Sequence, residues 1–543
     1  MTQQQTAAAA TGRDPKWWTL TAVCTGVFML LLDITIVNVA LPDIQTQLDA
    51  TLSDLQWVID AYALSLAALL LTAGSLADIF GRRRLFVIGL VIFTLGSVAC
   101  GAAQDIFFLQ ISRAFQGIGG AAMFATALAL LAAAFHGKDR GTAFGVFGAT
   151  TGVAVAVGPV LGGALTSGLS WRWIFFVNVP ICLVALVVSL ARVVESKDRH
   201  AGRPDWFGFV TFSIALAALV YGLIEAGKDG WGVTRVVASL VVSAVLLVVF
   251  VVSQLLQRHP MFDLGLLRKP TFTGGLVAAF GVSASMFSLL TYLVIYVQNV
   301  LGYSAVATGV RFLFLSVASF FAAAIAGRLS EHVPVKWLIA PGFLVLGVGL
   351  LLIHGIQDDS SWTHLIPGMI VSGIGIGMIN PPLASTAVGV VPVARAGMAS
   401  GVNSTFRQVG IATGIAALGS IFSQRIADSV RPALAPHVPP QALDPLTGAL
   451  SGGQVQPAAS AAQQAATAQG GPTAGQQAFD LVHQVGTSAV VDALNHITLI
   501  AAVIAFTSGV LSLALIRQKD FVVRSGPDGA PAESPAPDTR SAA

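Results

Sequence analysis

Apolar residues fall in long, nearly uninterrupted blocks along this chain, with charged residues gathered between the blocks. Each block holds roughly 20 residues, enough for a helix to cross about 30 Å of hydrocarbon. A helix also pairs every backbone polar group within its own segment, as a lipid environment requires. The pattern predicts an all-α polytopic membrane protein with fourteen transmembrane helices. The predicted spans are 17–41, 54–77, 84–103, 107–134, 140–166, 171–192, 206–226, 233–256, 271–298, 305–327, 335–354, 364–388, 397–424 and 490–516.

Composition agrees with this pattern. Of the 543 residues, 55% are hydrophobic and only 10% are charged, with a mean hydropathy of +0.79. Soluble domains are about a quarter charged, so these residues cannot cover a water-facing surface. Cysteines and histidines lack metal-ligand spacing, and no phosphate-binding Gly-x4-Gly-Lys pattern occurs, which argues against an enzyme and against ATP drive. We expect no metal, no cofactor and no nucleic acid partner.

Basic residues predict the orientation of the spans. Cytoplasmic loops of membrane proteins carry an excess of Lys and Arg. An even number of spans places both termini on one side, and the basic loops favour the cytoplasm for that side. The residues predicted to face the cytoplasm include Arg82, Arg83, Arg84, Lys138, Arg140, Lys197, Arg268, Lys269, Arg328, Lys336, Arg395, Arg517 and Lys519. The sequence therefore predicts a multi-pass protein of a bacterial inner membrane, which we expect to be a monomer.

Two segments differ in composition from the spans. Residues 428–488 are rich in Ala, Gln, Pro and Gly, and we expect a mobile external loop there, with a short Ala/Gln hairpin as the alternative. Residues 1–16 and 517–543 are expected to form cytoplasmic tails, the second one disordered.

An internal repeat divides the chain. Gly74-Ser-Leu76-Ala-Asp78 recurs 253 residues later as Gly327-Arg-Leu329-Ser-Glu331, and Gly141 and Gly145 recur at an offset of 256 as Gly397 and Gly401. Ordered matches at nearly one offset indicate two homologous halves, as transporters commonly have. We predict six-helix bundles at 17–192 and 271–516 and a two-helix insert at 193–270. The insert is expected to pack peripherally, with Glu225 solvated at its outer boundary.

The loop from Gly74 to Arg84, with the sequence GSLADIFGRRR, resembles the signature loop of the Major Facilitator Superfamily. This resemblance implies alternating access between two bundles. It also implies a charge network at the cytoplasmic side, termed the latch here, made of Gly74, Asp78, Gly81, Arg82 and Arg83. The alternative is a plain topological signal, which explains the arginines and leaves the aspartate and the glycine spacing unexplained.

Further motifs are similar to those of the fourteen-span drug/proton antiporters within that superfamily. Arg113-Ala-Phe-Gln116-Gly117 resembles the fourth-helix motif, whose arginine is associated with proton transfer. The fifth helix carries an antiporter-type motif formed by Gly158, Pro159, Gly162 and Gly163, although glycine-mediated packing alone would also favour these residues. The first-helix segment around Asp33 and the sixth-helix segment WRWIFFVNVP point to the same group.

Ionisable residues inside the spans are the candidates for chemistry, because a charge in the bilayer costs several kcal/mol. Asp33, Arg113 and Asp60 all fall at depths in the outer half of the first bundle. Burial disfavours an ionised carboxylate and a nearby arginine favours it, so Asp33 is a candidate for proton coupling. The alternative is a static Asp33–Arg113 pair that holds two helices together.

A substrate cavity is predicted from polar and aromatic residues of both halves. Arg407 in the second half is assigned either to structural anchoring or to an anionic part of a substrate. The candidate cavity residues are Phe28, Trp57, Tyr62, Gln116, Tyr292, Tyr296, Asn380 and Arg407. We predict a proton-coupled exporter of small amphipathic, cationic drugs. The alternatives are an exporter of one endogenous product and, more remotely, a membrane sensor or scaffold.

Overall fold

The computed structural model describes residues 15–50, 52–135, 138–198, 204–257, 260–330 and 332–521, and this part of the chain is helical with short connections. The first bundle contains α1 (Pro15–Leu48), α2 (Leu52–Phe80), α3 (Arg82–Gly101), α4 (Ile106–Ala134), α5 (Lys138–Gly168) and α6, which is in two pieces (Trp173–Phe176 and Asn178–Arg192). The insert contains α7 (Trp206–Asp229) and α8 (Thr234–Leu256). The remaining helices are α9 (Pro270–Val300, with two π-helical turns), α10 (Ala305–Leu329), α11 (Lys336–Ile353), α12 (Leu365–Gly389), α13 (Ala396–Leu434), α14 (Pro440–Ser451) and α15 (Val455–Leu515).

The membrane helices number fourteen in the described part of the chain. Thirteen are long and apolar enough to cross a membrane by length and composition. The fourteenth is α5, which packs between α1 and α10 along its length. The short α14 is not a span. The predicted all-α, fourteen-span fold is confirmed.

Each half is built around a large apolar core, and the core of the first half also takes in Ala384, Val388 and Ala396 of the second half. The first core is built from α1 to α6 around fully buried side chains such as Phe86 and Phe93. The second core runs through α9, α11, α12, α13 and α15 around Phe343 and Leu346. The halves meet along two helix pairs, α2 with α13 and α5 with α10.

The repeated glycines meet one another across this interface. A Cβ on Gly74 of α2 would overlap the carbonyl oxygen of Gly397 and lie 3.1 Å from the Cα of Gly401. A Cβ on Gly327 of α10 would lie 2.5 Å from the Cα of Gly145 on α5. Glycine is required at both crossings because the backbones touch without room for a side chain. The repeat in the sequence thus marks the two symmetry-related contacts between the halves.

The insert packs against both halves. Thr72 of α2 and Ser213 of α7 share a hydrogen bond of 2.9 Å, and Trp57 of α2 stacks on Tyr221 of α7 at 6.0 Å. The loop between α7 and α8 reaches the second half, where Trp231 donates to the Ser420 hydroxyl at 2.7 Å. The insert therefore covers the α2–α13 side of the interface.

Glu225 departs from the sequence expectation. Its side chain is only 6% exposed, and one carboxylate oxygen lies 3.1 Å from Nε of Arg235 on α8. The prediction that Glu225 is solvated at the outer boundary of the insert is therefore wrong. A periodic pattern in the sequence cannot reveal the Glu225–Arg235 pair, because the pair depends on how α7 packs against α8.

Residues 428–488 form ordered helices, so the expectation of a mobile loop is wrong and the hairpin alternative is correct. α13 continues to Leu434, past the predicted end at 424. α15 turns back at Gly471, whose φ of 80° and ψ of −179° are non-helical. Across the turn, Gln456 contacts His483 at 3.2 Å and Gln463 donates to Gln476 at 3.4 Å, which makes the two arms antiparallel. We call residues 455–488 the distal hairpin.

Most of each predicted tail lies outside the described residues. Residues 1–14 and 522–543 lie outside the described part of the chain, so the tail predictions for them are not tested. Asp520, in a single 3-10 turn after α15, accepts a hydrogen bond from the Thr271 hydroxyl at 2.7 Å. This bond lowers the pKa of the Asp520 carboxyl below its usual value and ties the start of the tail to α9.

We expect Gly327→Ala to destabilise the protein, because the new methyl group would push α10 away from α5 at the glycine crossing. Overpacking of this kind typically costs about 1–3 kcal/mol. The measurement is the thermal unfolding temperature of the purified protein in detergent. Gly168→Ala on α5 is the control, since nothing lies within 4 Å of its Cβ position. Equal unfolding temperatures for the two variants would contradict the close crossing.

Candidate functional site

Asp33 lies at the centre of the most extensive buried polar network in the first bundle. Its side chain is 0% exposed. One carboxylate oxygen accepts a hydrogen bond from Arg113 at 2.5 Å. The other oxygen accepts from Gln116 at 2.9 Å and from Asn178 at 3.0 Å. Helices α1, α4 and α6 therefore converge on one carboxylate, and each of its three side-chain partners donates to it.

Arg113 is held equally firmly. Its Nε donates to the Val58 carbonyl at 3.1 Å, and a terminal nitrogen donates to the Gln116 side chain at 2.7 Å. Its guanidinium carbon lies 4.3 Å from the centre of the Tyr62 ring, within the range of a cation–π contact. The guanidinium is thus enclosed by a carboxylate, two neutral acceptors and an aromatic face.

Ser97 and Asn178 complete the network, and the sequence analysis did not assign them to it. The Ser97 hydroxyl accepts from Gln116 at 2.7 Å and from Asn178 at 3.1 Å. The Asn178 side-chain oxygen is buried without a hydrogen-bond partner in the described part of the chain. A signal was present, because Asn178 belongs to the WRWIFFVNVP segment and is a polar residue within a span. Its partner could not be read from the sequence, since the contact spans 145 positions.

Asp60 differs from Asp33 in burial. It lies on α2 two residues after Val58 and is half-buried. Its role as a second proton-coupling residue stays a prediction.

The latch residues contact the second half. Asp78 accepts hydrogen bonds from the backbone amides of Gly397 at 2.9 Å and Met398 at 2.8 Å, at the start of α13. A carboxylate is favoured there because the N-terminal amides of a helix lack partners within the helix. Arg82 donates to Asp78 at 2.6 Å and to the carbonyls of Val393 and Ala394. This end of the interface is therefore closed.

Gly81 and Arg83 make their contacts within the first half. Gly81 has a φ of 116°, which favours glycine, and it joins α2 to α3. Glu195, after α6, accepts from the amides of Arg83 at 3.0 Å and Arg84 at 3.1 Å. Arg83 itself donates to the Val193 carbonyl at 3.2 Å. These contacts fix the turn at Gly81 that follows Asp78 at the end of α2, and the sequence analysis did not identify Glu195.

The fifth-helix motif links the Asp33 helix to the second half. A Cβ on Gly158 would overlap Thr35 on α1, and one on Gly162 would lie 2.9 Å from Ile36. A Cβ on Gly163 would overlap Val306 on α10. Gly158 and Gly162 thus bring α5 against α1 next to Asp33, and Gly163 brings the same helix against α10. The Pro159 side chain lies outside the described part of the chain.

The predicted cavity residues are dispersed. Tyr62 and Gln116 belong to the Asp33 network, Phe28 packs against the first core, and Trp57 stacks on the insert. Tyr292 and Tyr296 are in the second core, where their hydroxyls donate to backbone carbonyls at 2.7 and 3.4 Å. Trp57 and Tyr292 are engaged by neighbouring helices, and Tyr296 by the connection between α11 and α12. A place for these three residues in a substrate cavity stays a prediction.

Asn380 and Arg407 remain together as a polar pair in the second half. A terminal nitrogen of Arg407 donates to the Asn380 side-chain oxygen at 3.2 Å. Asn380 is 7% exposed and Arg407 is half-buried. Arg311 is separate from this pair, because its guanidinium lies against Tyr303 at 3.6 Å and Trp362 at 4.8 Å. Among the described residues, no group of three or more His, Cys, Asp or Glu could hold a metal ion.

Two helical bundles with a repeated interface, a closed charge network at one end and a buried ion pair within one bundle define a polytopic membrane transporter. Comparison with known proteins gives its family. The model of the Major Facilitator Superfamily matches residues 23–415. The chain belongs to the Major Facilitator Superfamily and is a transporter, not an enzyme.

Curated relatives are similar over most of the chain. The chain is 37% identical to the multidrug resistance protein Stp of Mycobacterium tuberculosis, over 78% of each chain. It is 37% identical to the puromycin resistance protein pur8 of Streptomyces alboniger, over 76% of this chain and 83% of that one. It is 32% identical to the tetracenomycin C resistance and export protein of Streptomyces glaucescens, over 77% and 78%.

A solved structure supports the fold alone. The crystal structure of the human organic anion transporter MFSD10 matches with a TM-score of 0.56 at 16% identity, over 76% of this chain and 94% of that one.

We expect Asp78→Asn to open the latch end, because the neutral amide stabilises the amides of α13 and Arg82 less than the carboxylate does. The measurement is maleimide labelling of a single reporter, Ser400→Cys, which is fully buried on α13, in a background without the native cysteines. Labelling should rise several-fold. Asp263→Asn is the control, since Asp263 pairs with Arg395 near the same end and both are exposed, so it contributes little. Equal labelling of the two variants would contradict the latch, and the segment from Gly74 to Arg84 would then act only as a topological signal.

Proposed function

We propose that this protein is a proton-coupled antiporter that exports small amphipathic drugs by alternating access. The observation that carries the proposal is the enclosed Asp33–Arg113 pair. Relatives named for multidrug, puromycin and tetracenomycin C resistance support drug export. The basic loops support an inner-membrane location with both termini in the cytoplasm.

The network suits a group that changes its protonation state. A buried ion pair stabilises a fold weakly or not at all, because the charges lose several kcal/mol of hydration each. A protonated Asp33 would need an acceptor in place of one donor. The amides of Gln116 and Asn178 each have a donor and an acceptor edge, so rotation of an amide can supply that acceptor. The buried Asn178 oxygen that lacks a partner is already close to Asp33.

The glycine contacts suggest how protonation is transmitted. Thr35 and Ile36, which contact Gly158 and Gly162, lie within one helical turn of Asp33 on α1. A shift of α1 on loss of the Arg113 pairing would therefore press on α5, and α5 contacts α10 of the second half. In this proposal the latch holds one end closed until that shift separates α2 from α13.

We expect Asp33→Asn to abolish dye transport driven by a pH gradient in proteoliposomes, because asparagine cannot exchange a proton. Counterflow of the dye without a gradient should persist, since the amide keeps the shape of the site. Glu225→Gln is the control and should keep most of the gradient-driven transport, because its partner Arg235 is 53% exposed in the insert. Gradient-driven transport at the parent rate in Asp33→Asn would refute the coupling role.

The alternative is a proton-coupled exporter of one endogenous product. This alternative is supported by the relative that is named as a tetracenomycin C resistance and export protein, because that name gives a single exported compound. A screen of chemically unrelated dyes decides between the two: transport of several classes supports the drug exporter, and transport of one class supports the alternative.

A further inference from the structure

Arg407 is an intramembrane arginine with a single hydrogen-bond acceptor in the described part of the chain. Arg311 likewise donates one hydrogen bond, to the Ala307 carbonyl, but two aromatic rings cover its guanidinium. A guanidinium has five N–H donors, and the one hydrogen bond that Arg407 makes to a described residue is to the neutral Asn380 amide at 3.2 Å. Phe287 lies 6.0 Å from its guanidinium carbon. Arg113, by contrast, has a carboxylate at 2.5 Å and two neutral acceptors. The first bundle therefore balances its buried charge, and the second bundle presents an uncompensated one.

The position of Arg407 on α13 directs it between the halves. Gly401 of α13 contacts α2, whereas Gly410 contacts α9 at Phe280 and Ser283. Successive residues are 100° apart on a helix of 3.6 residues per turn, so Arg407 lies on the face between those two contacts and opposite the insert. Its partner Asn380 immediately precedes Pro381, which contacts Gly148 on α5. The pair thus borders the surface where the two halves meet.

A second polar group lies next to this guanidinium. Asn403 is one turn before Arg407 on α13, and its side chain is 2% exposed. Its Nδ2 is buried without a hydrogen-bond partner in the part of the chain that the structure describes. A buried donor without a partner typically costs about 1–3 kcal/mol, so this amide is suited to an acceptor that the protein itself does not supply.

The depth of Arg407 in the membrane indicates which kind of molecule supplies that acceptor. Arg407 is eleven residues after the start of α13 at Ala396, which places it roughly 16 Å along the helix. A lipid phosphate stays at the headgroup level and does not reach this depth. A carried solute does reach it in an alternating-access transporter.

We propose that Arg407 and Asn403 bind a carboxylate or another anionic oxygen of the transported compound. The inference rests on the proposed export function and narrows its substrate class. Compounds with an apolar body and an anionic oxygen, including zwitterions, are preferred over purely cationic ones, in contrast to the cationic substrate expected from the family resemblance. Asn380 positions the guanidinium and leaves its remaining N–H groups for the ligand.

A matched pair of dyes tests this proposal. Rhodamine 110 carries a free carboxylate, and rhodamine 123 is its methyl ester and a monocation. The measurement is the Kd of each dye for the purified full-length protein in detergent, from fluorescence anisotropy, at pH 7. The variants are Arg407→Gln and Arg407→Lys. Arg311→Gln is the control, because the Arg311 guanidinium is already enclosed by Tyr303 and Trp362.

The parent protein should bind rhodamine 110 more tightly than rhodamine 123. Arg407→Gln should weaken rhodamine 110 by about tenfold or more, the effect expected for loss of a charge-assisted hydrogen bond, and should change rhodamine 123 by less than about twofold. Arg407→Lys should recover part of the affinity for rhodamine 110, and Arg311→Gln should match the parent.

Equal losses for both dyes, or unchanged binding of rhodamine 110 in Arg407→Gln, would overturn the assignment of Arg407. In either case the export function stands, since the parent still binds a drug-like dye. If the parent binds neither dye, the proposed drug-binding function fails and the inference fails with it.

Discussion

The Asp33–Arg113 pair is the interaction on which the first bundle is organised. Both side chains are removed from water. Asp33 accepts from residues of α4 and α6, and Arg113 also donates to the Val58 carbonyl of α2. Removing one member of such a pair leaves the other charged and unpaired, which typically costs about 3–5 kcal/mol. Replacing the pair with apolar residues is often neutral, so stability alone does not account for its presence. A role in which one member changes charge does account for it.

The geometry of the interface gives that change a route to the second half. The glycines of α5 bring the backbone of α1 against α5 and that of α5 against α10, so small displacements are passed between rigid helices. At the far side of the same interface, Asp78 is bound to the N-terminus of α13 and Arg82 to the loop before it. A charge change at Asp33 and release of these contacts are two events on one set of packed helices, as expected for a bistable carrier.

Much of the fold followed from the sequence because its causes are local. Long apolar blocks dictate membrane helices, and the glycine repeat predicted two homologous halves. That the same glycines form the crossings between the halves is seen only in the structure. The Asp33–Arg113 association followed from motif resemblance and similar depth.

The errors have a common physical origin. Contacts between residues far apart in the chain do not show in periodicity. The sequence therefore did not reveal that Asn178 donates to Asp33, or that Ser97 accepts from Gln116 and Asn178 in the same network. The sequence also did not show that Glu225 pairs with Arg235, or that the hydroxyls of Tyr292 and Tyr296 donate to backbone carbonyls. The distal hairpin was mistaken for a mobile loop because Ala and Gln are common both in disordered segments and in helices; its antiparallel pairing depends on the turn at Gly471.

The central claim is that proton binding at Asp33 and substrate binding are linked. The direct measurement is the release of protons when a transported dye is added to the purified protein in weakly buffered detergent solution, followed with a pH indicator. The account predicts that the parent protein releases protons on dye binding and that Asp33→Asn binds the dye without releasing them. Equal proton release by the parent and by Asp33→Asn, or dye binding by the parent without any proton release, would contradict it.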